Sequence, residues 1–263
     1  MTTAASGFFS LPKPRVMAHR GASGTHPENT LAAFDAACRA GVPYFELDVH
    51  MTRDGEVVVC HDDDLARTTD RAGLIGEMAF SELRRADAGY RFSADGGMTF
   101  PFRGRGLTIP TLSEVLGEFP SVRVVVEVKQ RAPSLIGAML GVIDSLGARE
   151  RVLVASEHQE PLSETRDKAP GIPTNFSAPE VEAFFAALTR RDVSYRPPAP
   201  ALQIPPSYEA KTLVTAESVE FAHRMGVEVH VWTVNDTAEM VRMLKLGADG
   251  IITDFPERCR AVI

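Results

Sequence analysis

Tyr44-Phe45-Glu46-Leu47-Asp48-Val49 and Val124-Val125-Val126-Glu127-Val128-Lys129 are the stretches whose reading decides the architecture. In an extended strand, successive side chains point to opposite faces. Phe45, Leu47 and Val49 then share one face, and Glu46 and Asp48 share the other. In the second stretch Val124, Val126 and Val128 form the apolar face, leaving Glu127 and Lys129 opposite. If the apolar faces pack on helices outside a closed barrel, the charged residues point inward. Glu46 and Asp48 would lie about 6–7 Å apart along their strand. Such a pair repels and loses hydration unless a cation lies between the two. Glu46, Asp48 and Glu127 make an all-oxygen site, which suits Mg²⁺ or Ca²⁺ and not a soft metal. The competing reading is an ordinary ion-pair network in which Arg20 or Lys129 neutralises the acids.

Outward from these stretches the chain alternates short apolar strands with amphipathic helices. Strands are expected at 15–18, 44–50, 56–61, 123–129, 151–155, 172–175, 200–204, 228–234 and 250–253. In the first helix Leu31, Phe34 and Cys38 fall on one face, and Gly41 stands where a C-terminal cap is wanted. Thr111 with Glu114 and Ser177 with Glu180 have capping-box spacing, and Asp236 with Glu239 is an acidic version. The alternation predicts a parallel sheet covered by helices, and at this length a (β/α)8 barrel. One strand too many is present for a regular barrel, so one is short, external or not a strand. The 64–110 segment, with a helix over 77–88 and then a Gly- and Phe-rich loop, reads as a small insertion after the third strand. Neither a linker nor an internal repeat divides residues 1–263, so a single domain is expected. No G-x-G-x-x-G loop follows a strand, which argues against a dinucleotide fold.

Two histidines fall at C-terminal strand ends, where barrel enzymes place their chemistry. His19 follows the first strand, and His61 ends Val57-Val58-Val59-Cys60-His61. A pair of near-neutral imidazoles can act as base and acid on either side of a reaction. Arg20 and Lys129 supply positive charge suited to a phosphate. Trp232, by the same alternation, points inward at the end of Val229-His230-Val231-Trp232, to wall a pocket or to pack in the core. His50, His158, His223 and His230 read mostly as surface or helix-packing residues. Cys60 falls on the helix-facing phase of its strand, opposite His61, and reads as core. No G-x-S-x-G or C-x-x-C is present, so serine-hydrolase and zinc–cysteine chemistry have no support.

The bulk numbers narrow the class. With 263 residues, 44% hydrophobic and 24% charged, the chain can bury a sizeable core without staples. A net charge of −7 argues against nucleic acid and, less strongly, against anionic membranes. Three widely spaced cysteines, Cys38, Cys60 and Cys259, make no disulfide framework. Met1–Arg15 does not read as a signal peptide, and no apolar run is long enough for a membrane helix. A soluble, cytoplasmic protein is expected.

The ordered motifs resemble one family. His19-Arg20-Gly21-Ala22-Ser23-Gly24, then Pro27-Glu28-Asn29-Thr30-Leu31-Ala32-Ala33-Phe34, resembles the opening signature of glycerophosphodiester phosphodiesterases. Glu46-Leu47-Asp48-Val49, Thr52-Arg53-Asp54-Gly55, His61-Asp62, Arg67-Thr68-Thr69, Ile109-Pro110-Thr111-Leu112, Glu127-Val128-Lys129, Trp232-Thr233-Val234-Asn235 and Asp249-Gly250-Ile251-Ile252-Thr253-Asp254 continue it over 16–256. The resemblance implies a (β/α)8 barrel, a divalent metal, and hydrolysis of glycerophosphodiesters to glycerol 3-phosphate and an alcohol. It puts Glu46, Asp48 and Glu127 on the metal, His19 and His61 in acid–base roles, and Arg20 and Lys129 on the phosphate. Glu28 would support the metal or the adjoining network on the substrate side, and Asn29 would hold the same loop. The chain departs from the usual pattern at His26, at Ser156-Glu157-His158 and in the longer 90–104 segment, all in loops that would line the alcohol side. The expected mechanism passes through a cyclic phosphate formed by the substrate's own 2-hydroxyl. The alternatives are a lysophospholipase D giving lysophosphatidic acid, with Phe92, Phe100 and Phe102 shaping its entrance, and a barrel that binds phosphodiesters without turnover.

Overall fold

The computed structural model describes residues 7–263, so the first six residues of the stretch expected to carry no leader lie outside the described residues. A 3-10 turn at Gly7–Phe9 leads into β1 (Arg15–His19), α1 (Leu31–Arg39), β2 (Tyr44–Met51) and β3 (Val57–Val59). A long excursion carries α2 (Phe80–Leu83), followed by α3 (Leu112–Glu118), β4 (Arg123–Val128), α4 (Ile136–Ser145) and β5 (Val152–Ala155). Next come α5 (Gln159–Lys168), α6 (Ala178–Arg190), β6 (Ala201–Ile204) and a small hairpin of β7 (Ser207–Tyr208) and β8 (Lys211–Thr212). The chain ends with α7 (Ala216–Arg224), β9 (Glu228–Val231), α8 (Thr237–Lys245), β10 (Gly250–Thr253) and α9 (Pro256–Arg260).

Seven strands lie side by side in the order β5-β4-β2-β1-β10-β9-β6, every neighbouring pair parallel. Thr174 and Asn175 fill the gap between β5 and β6 by parallel bridges to Val154 and Ala201, which completes a (β/α)8 barrel. That stretch, expected as a full strand over 172–175, is reduced to bridges because Pro173 has no N–H for the ladder. The surplus strand is β3, which pairs antiparallel with β2 outside the barrel order.

Two layers of core confirm the alternation. Phe45, Leu47, Val49, Val124, Val126 and Val128 are buried against the helices. Inside, Phe8, Met17, Tyr44, Val125, Leu153 and Ile252 fill the barrel toward its N-terminal end. Arg15 closes that end, with Nε and Nη2 donating to Glu228 at 2.9 and 2.8 Å and Nη1 donating to Tyr44 Oη at 2.9 Å.

Three expectations need correction. In α1 the buried residues are Ala33, Phe34 and Ala37, whereas Leu31 and Cys38 are exposed. Phe34 packs against Phe45 and Phe119, at ring-centroid distances of 5.1 and 6.4 Å, and turns inward a face rotated from the one expected. The helix over 77–88 is only the single turn α2, because Ala88 N–H donates to Leu107 O and Asp87 turns the chain by accepting from Gly89 and Gly104. His50 and His230 are buried, being on the inward phase of β2 and β9, whereas they were expected mostly on the surface or against helices. The Thr111–Glu114 and Ser177–Glu180 boxes are reciprocal as expected, and the Asp236 cap accepts from Glu239 N–H.

Candidate active site

Register assembles the site from the alternation. β1 places His19 beside Glu46, and β4 places Glu127 beside Asp48, all toward the C-terminal strand ends. One oxygen from each of Glu46, Asp48 and Glu127 lies within 4.8 Å of those from the other two. Ligand oxygens on a single Ca²⁺ are separated by at most about 5 Å, twice the metal–oxygen distance, so the group can share one cation.

Local charges point the same way. Burial, then the charge of Asp48, pushes the Glu46 carboxyl up to about 8. Burial also raises Glu127 against the pull of Lys129. Burial would raise Asp48 too, but Arg20 and Lys129 outweigh it and hold that carboxyl below its ordinary value. Two of three acids are thus driven toward their neutral forms, a deficit of positive charge that a cation would make good. Among the described residues no hydrogen bond reaches buried Asn29 Oδ1, and buried Asp48 Oδ1 has only the Lys129 ammonium at 3.3 Å, outside hydrogen-bond geometry, which again fits a cation or its hydration water.

The ion-pair network expected as the competing reading is also there. Lys129 Nζ lies 2.6 Å from Glu127 Oε1 and 3.3 Å from Asp48 Oδ1, and Arg20 Nε lies 3.1 Å from Asp48 Oδ2. It leaves Asn29 Oδ1 unmet and gives Asp48 Oδ1 an ion-pair contact only, and Arg20 Nε lacks hydrogen-bond geometry despite its short distance. The loop carrying Arg20 is strained into place. Arg20 and Asn29 both have left-handed backbones, with φ of 55° and 57°, and Asn29 N–H donates to Arg20 O at 2.9 Å. Such conformations cost of order 1–3 kcal/mol each and collect at functional sites. Between them the chain passes Gly21, φ 82°, where a Cβ would sit 2.6 Å from the Ala33 backbone.

Each histidine is held by a carboxylate. His19 Nδ1 lies 2.6 Å from Asp254 Oδ1, and His61 Nδ1 lies 2.6 Å from Asp62 Oδ1. Burial would raise Asp62, but its hydrogen bonds with Arg67 and His61 bring it down to about 2. Asp254 is likewise held low, with the hydrogen bond from His19 outweighing burial. Ionised partners make both Nδ1 atoms donors and leave each Nε2 for other work. His19 Nε2 lies 3.9 Å from Glu46 Oε2. Burial would lower His19, yet the bond to Asp254 and the charge of Glu46 outweigh it and favour the protonated ring. His50 Nε2 meets His61 O at 3.1 Å and fixes the His61 backbone.

The remaining expected residues take distinct places. Glu28 is gripped by Arg20 and Arg67, so its oxygens serve the cationic network. Trp232, 43% exposed, is not core; its backbone N–H donates to Ile204 O beside the strand ends. Cys60 is core, and burial pushes its thiol up to about 12. Sequence reasoning gave no role to Asp254, Asp62, Arg67, Asn235 or His50. A signal existed for Asp254, which lies two residues beyond inward-facing Ile252. Among the described residues, no helix is long and apolar enough to cross a membrane.

A catalytic-looking set at one end of a barrel leaves the family open until relatives are compared. The glycerophosphoryl diester phosphodiesterase family model matches residues 19–258, which is most of the chain. The chain belongs to this family. A glycerophosphodiester phosphodiesterase from Bacillus altitudinis is 33% identical over 250 residues, covering 93% of this chain and 96% of the relative. The glycerophosphoryl diester phosphodiesterase domain of a Mycobacterium tuberculosis protein superposes with a TM-score of 0.81 at 25% identity, covering 95% of this chain and 98% of that one. An Oleispira antarctica phosphodiesterase, solved with the product sn-glycerol-3-phosphate, superposes with a TM-score of 0.77 at 28% identity, covering 95% and 96%. In this glycerophosphoryl diester phosphodiesterase family member the three acids and two imidazoles gather toward the C-terminal ends of the barrel strands.

Proposed function

We propose that the protein hydrolyses glycerophosphodiesters to glycerol 3-phosphate and an alcohol, as a single-domain cytoplasmic enzyme dependent on Mg²⁺ or Ca²⁺. The observation that carries this reading is the convergence of three inward carboxylates with two carboxylate-held imidazoles at one end of the barrel. The names of the relatives and the product held by the Oleispira antarctica phosphodiesterase support it. The free thiols of Cys38, Cys60 and Cys259 suit a reducing compartment.

Glu46, Asp48 and Glu127 would hold the cation, which when bound offsets the charge of the phosphate oxygens. Arg20 and Lys129 bind and orient the phosphate, Glu28 fixes Arg20, and Trp232 walls the glycerol or alcohol group at the rim. One histidine, unprotonated at Nε2, takes the proton of the glycerol 2-hydroxyl as its oxygen attacks phosphorus. The other, protonated at Nε2, gives its proton to the leaving alcohol oxygen as that P–O bond breaks. Water then opens the cyclic phosphate to glycerol 3-phosphate with the two roles exchanged. An internal nucleophile held this way gains an effective molarity of roughly 10⁵ M or more.

The test is release of the leaving alcohol, with its phosphomonoester identified, from glycerophosphodiesters, lysophospholipids and a diester lacking the 2-hydroxyl, with EDTA, Mg²⁺ and Ca²⁺ in parallel. The expected result is metal-dependent release from the small diesters and none from the 2-deoxy analogue. Cleavage of that analogue would contradict the cyclic route, cleavage of lysophospholipids alone the substrate, and no product at all the reaction.

A further inference from the structure

The carboxylates behind the two histidines are anchored differently. Asp254 is fixed beside the barrel wall, accepting from Asn235 Nδ2 at 2.6 Å and Ser23 Oγ at 2.8 Å. Asp62 lies beyond the end of β3, and its other anchor is Arg67 in the inserted segment. Arg67 Nε donates to Asp62 Oδ2 at 2.5 Å, and Nη2 reaches Oδ1 at 3.3 Å. The far edge of the same guanidinium holds Glu28, with Nη1 at 2.8 Å from Oε2 and Nη2 at 2.7 Å from Oε1. Glu28 Oε1 also accepts from Arg20 Nη1 at 2.9 Å.

One planar cation therefore ties the loop after β1 to the loop after β3. It also ties the carboxylate behind His61 to the carboxylate beside Arg20. A planar guanidinium fork can hold two carboxylates with paired bonds fixed in one plane, a geometry a point-like ammonium does not impose. Arg67 is about half exposed, and ion pairs at such positions stabilise a fold by only about 1 kcal/mol or less. Stability alone is a weak reason for four N–H contacts converging here.

We propose that Arg67 is a positioning residue for the hydrolysis, setting the His61 imidazole through Asp62 and the Arg20 guanidinium through Glu28. The proposal rests on the phosphodiesterase reading above and deepens it. Arg67 reaches the reaction only through other residues, since its polar partners among the described residues are Asp62 and Glu28.

The experiment measures kcat and KM on glycerophosphocholine with Mg²⁺ for the wild type, Arg67→Met, Arg67→Lys, Asp62→Asn and the Arg67→Met/Asp62→Asn double variant. Tm and the downfield imidazole N–H proton signal of His61 are recorded beside them. Arg67→Met is expected to lower kcat roughly 10- to 100-fold, a fraction of what a positioned acid or base contributes. Arg67→Lys recovers part of that loss. The losses from Arg67→Met and Asp62→Asn multiply only in part in the double variant, because both act through His61 while Arg67 also acts through Glu28. The His61 signal shifts or broadens while Tm stays within about 4 °C. Wild-type kcat in Arg67→Met, or losses that multiply fully, overturns the proposal. A wild type that releases no glycerol 3-phosphate contradicts the reaction itself. In that case an unchanged His61 signal in Arg67→Met separately overturns the positioning role.

Discussion

Asp254 is the clearest case of a residue whose work depends on its neighbours. Its bond to His19 Nδ1 selects the tautomer with Nε2 facing the carboxylates. Asp254→Asn keeps the shape, but can donate to Nδ1 and so favours the wrong tautomer. We expect kcat on glycerophosphocholine to fall about 100-fold or more, with Tm changed little. Glu46 yields a prediction of opposite kind. Its folded pKa is raised, so the metal-free fold binds more protons than the unfolded chain between pH 4.5 and about 8. Its contribution is fully present below about 4.5 and is lost as pH rises through 8. In EDTA, Tm should therefore fall across that window, and saturating Mg²⁺ or Ca²⁺ should flatten the slope. The three acids were legible in the sequence because a two-residue period sorts side chains without knowledge of the fold. The Asp62–Arg67–Glu28 chain was not, since it joins two loops whose approach no local pattern encodes.

Strands with uninterrupted alternation, β2 and β4 above all, were legible in full. Their apolar phase leaves one choice of face, and a slip of one residue would bury every charge among the helices. Segments lacking that constraint drifted. Pro173 weakened a barrel strand to bridges, and the Asp87 turn cut a long helix to one turn. Capping boxes were legible because both partners lie within four residues. Thr111→Ala removes the cap of α3, whose hydroxyl accepts from Glu114 N–H at 3.0 Å. The expected cost is about 1 kcal/mol, or roughly 2–4 °C in Tm, with kcat unchanged. An unchanged Tm would mean that tertiary packing alone holds that helix start.

Across the whole molecule the barrel separates its duties by end. Arg15, Tyr44 and Glu228 close the N-terminal end, and the carboxylates and imidazoles gather at the other. Removing the Glu228 charge leaves Arg15, 2% exposed, short of its partner. Glu228→Gln should cost about 3 kcal/mol, roughly 6–12 °C in Tm, while kcat at a temperature well below the transition stays within about twofold. A large kcat loss there would mean that the two ends are coupled. The chemistry at the catalytic end depends on one claim, that Glu46, Asp48 and Glu127 form a divalent-cation site. Isothermal titration of Mg²⁺ and Ca²⁺ into EDTA-treated wild type and Asp48→Asn tests it most directly. Saturable binding at a single site is expected in the wild type, and its loss in the folded variant. Absence of saturable binding in the wild type, or identical isotherms for both proteins, would contradict it.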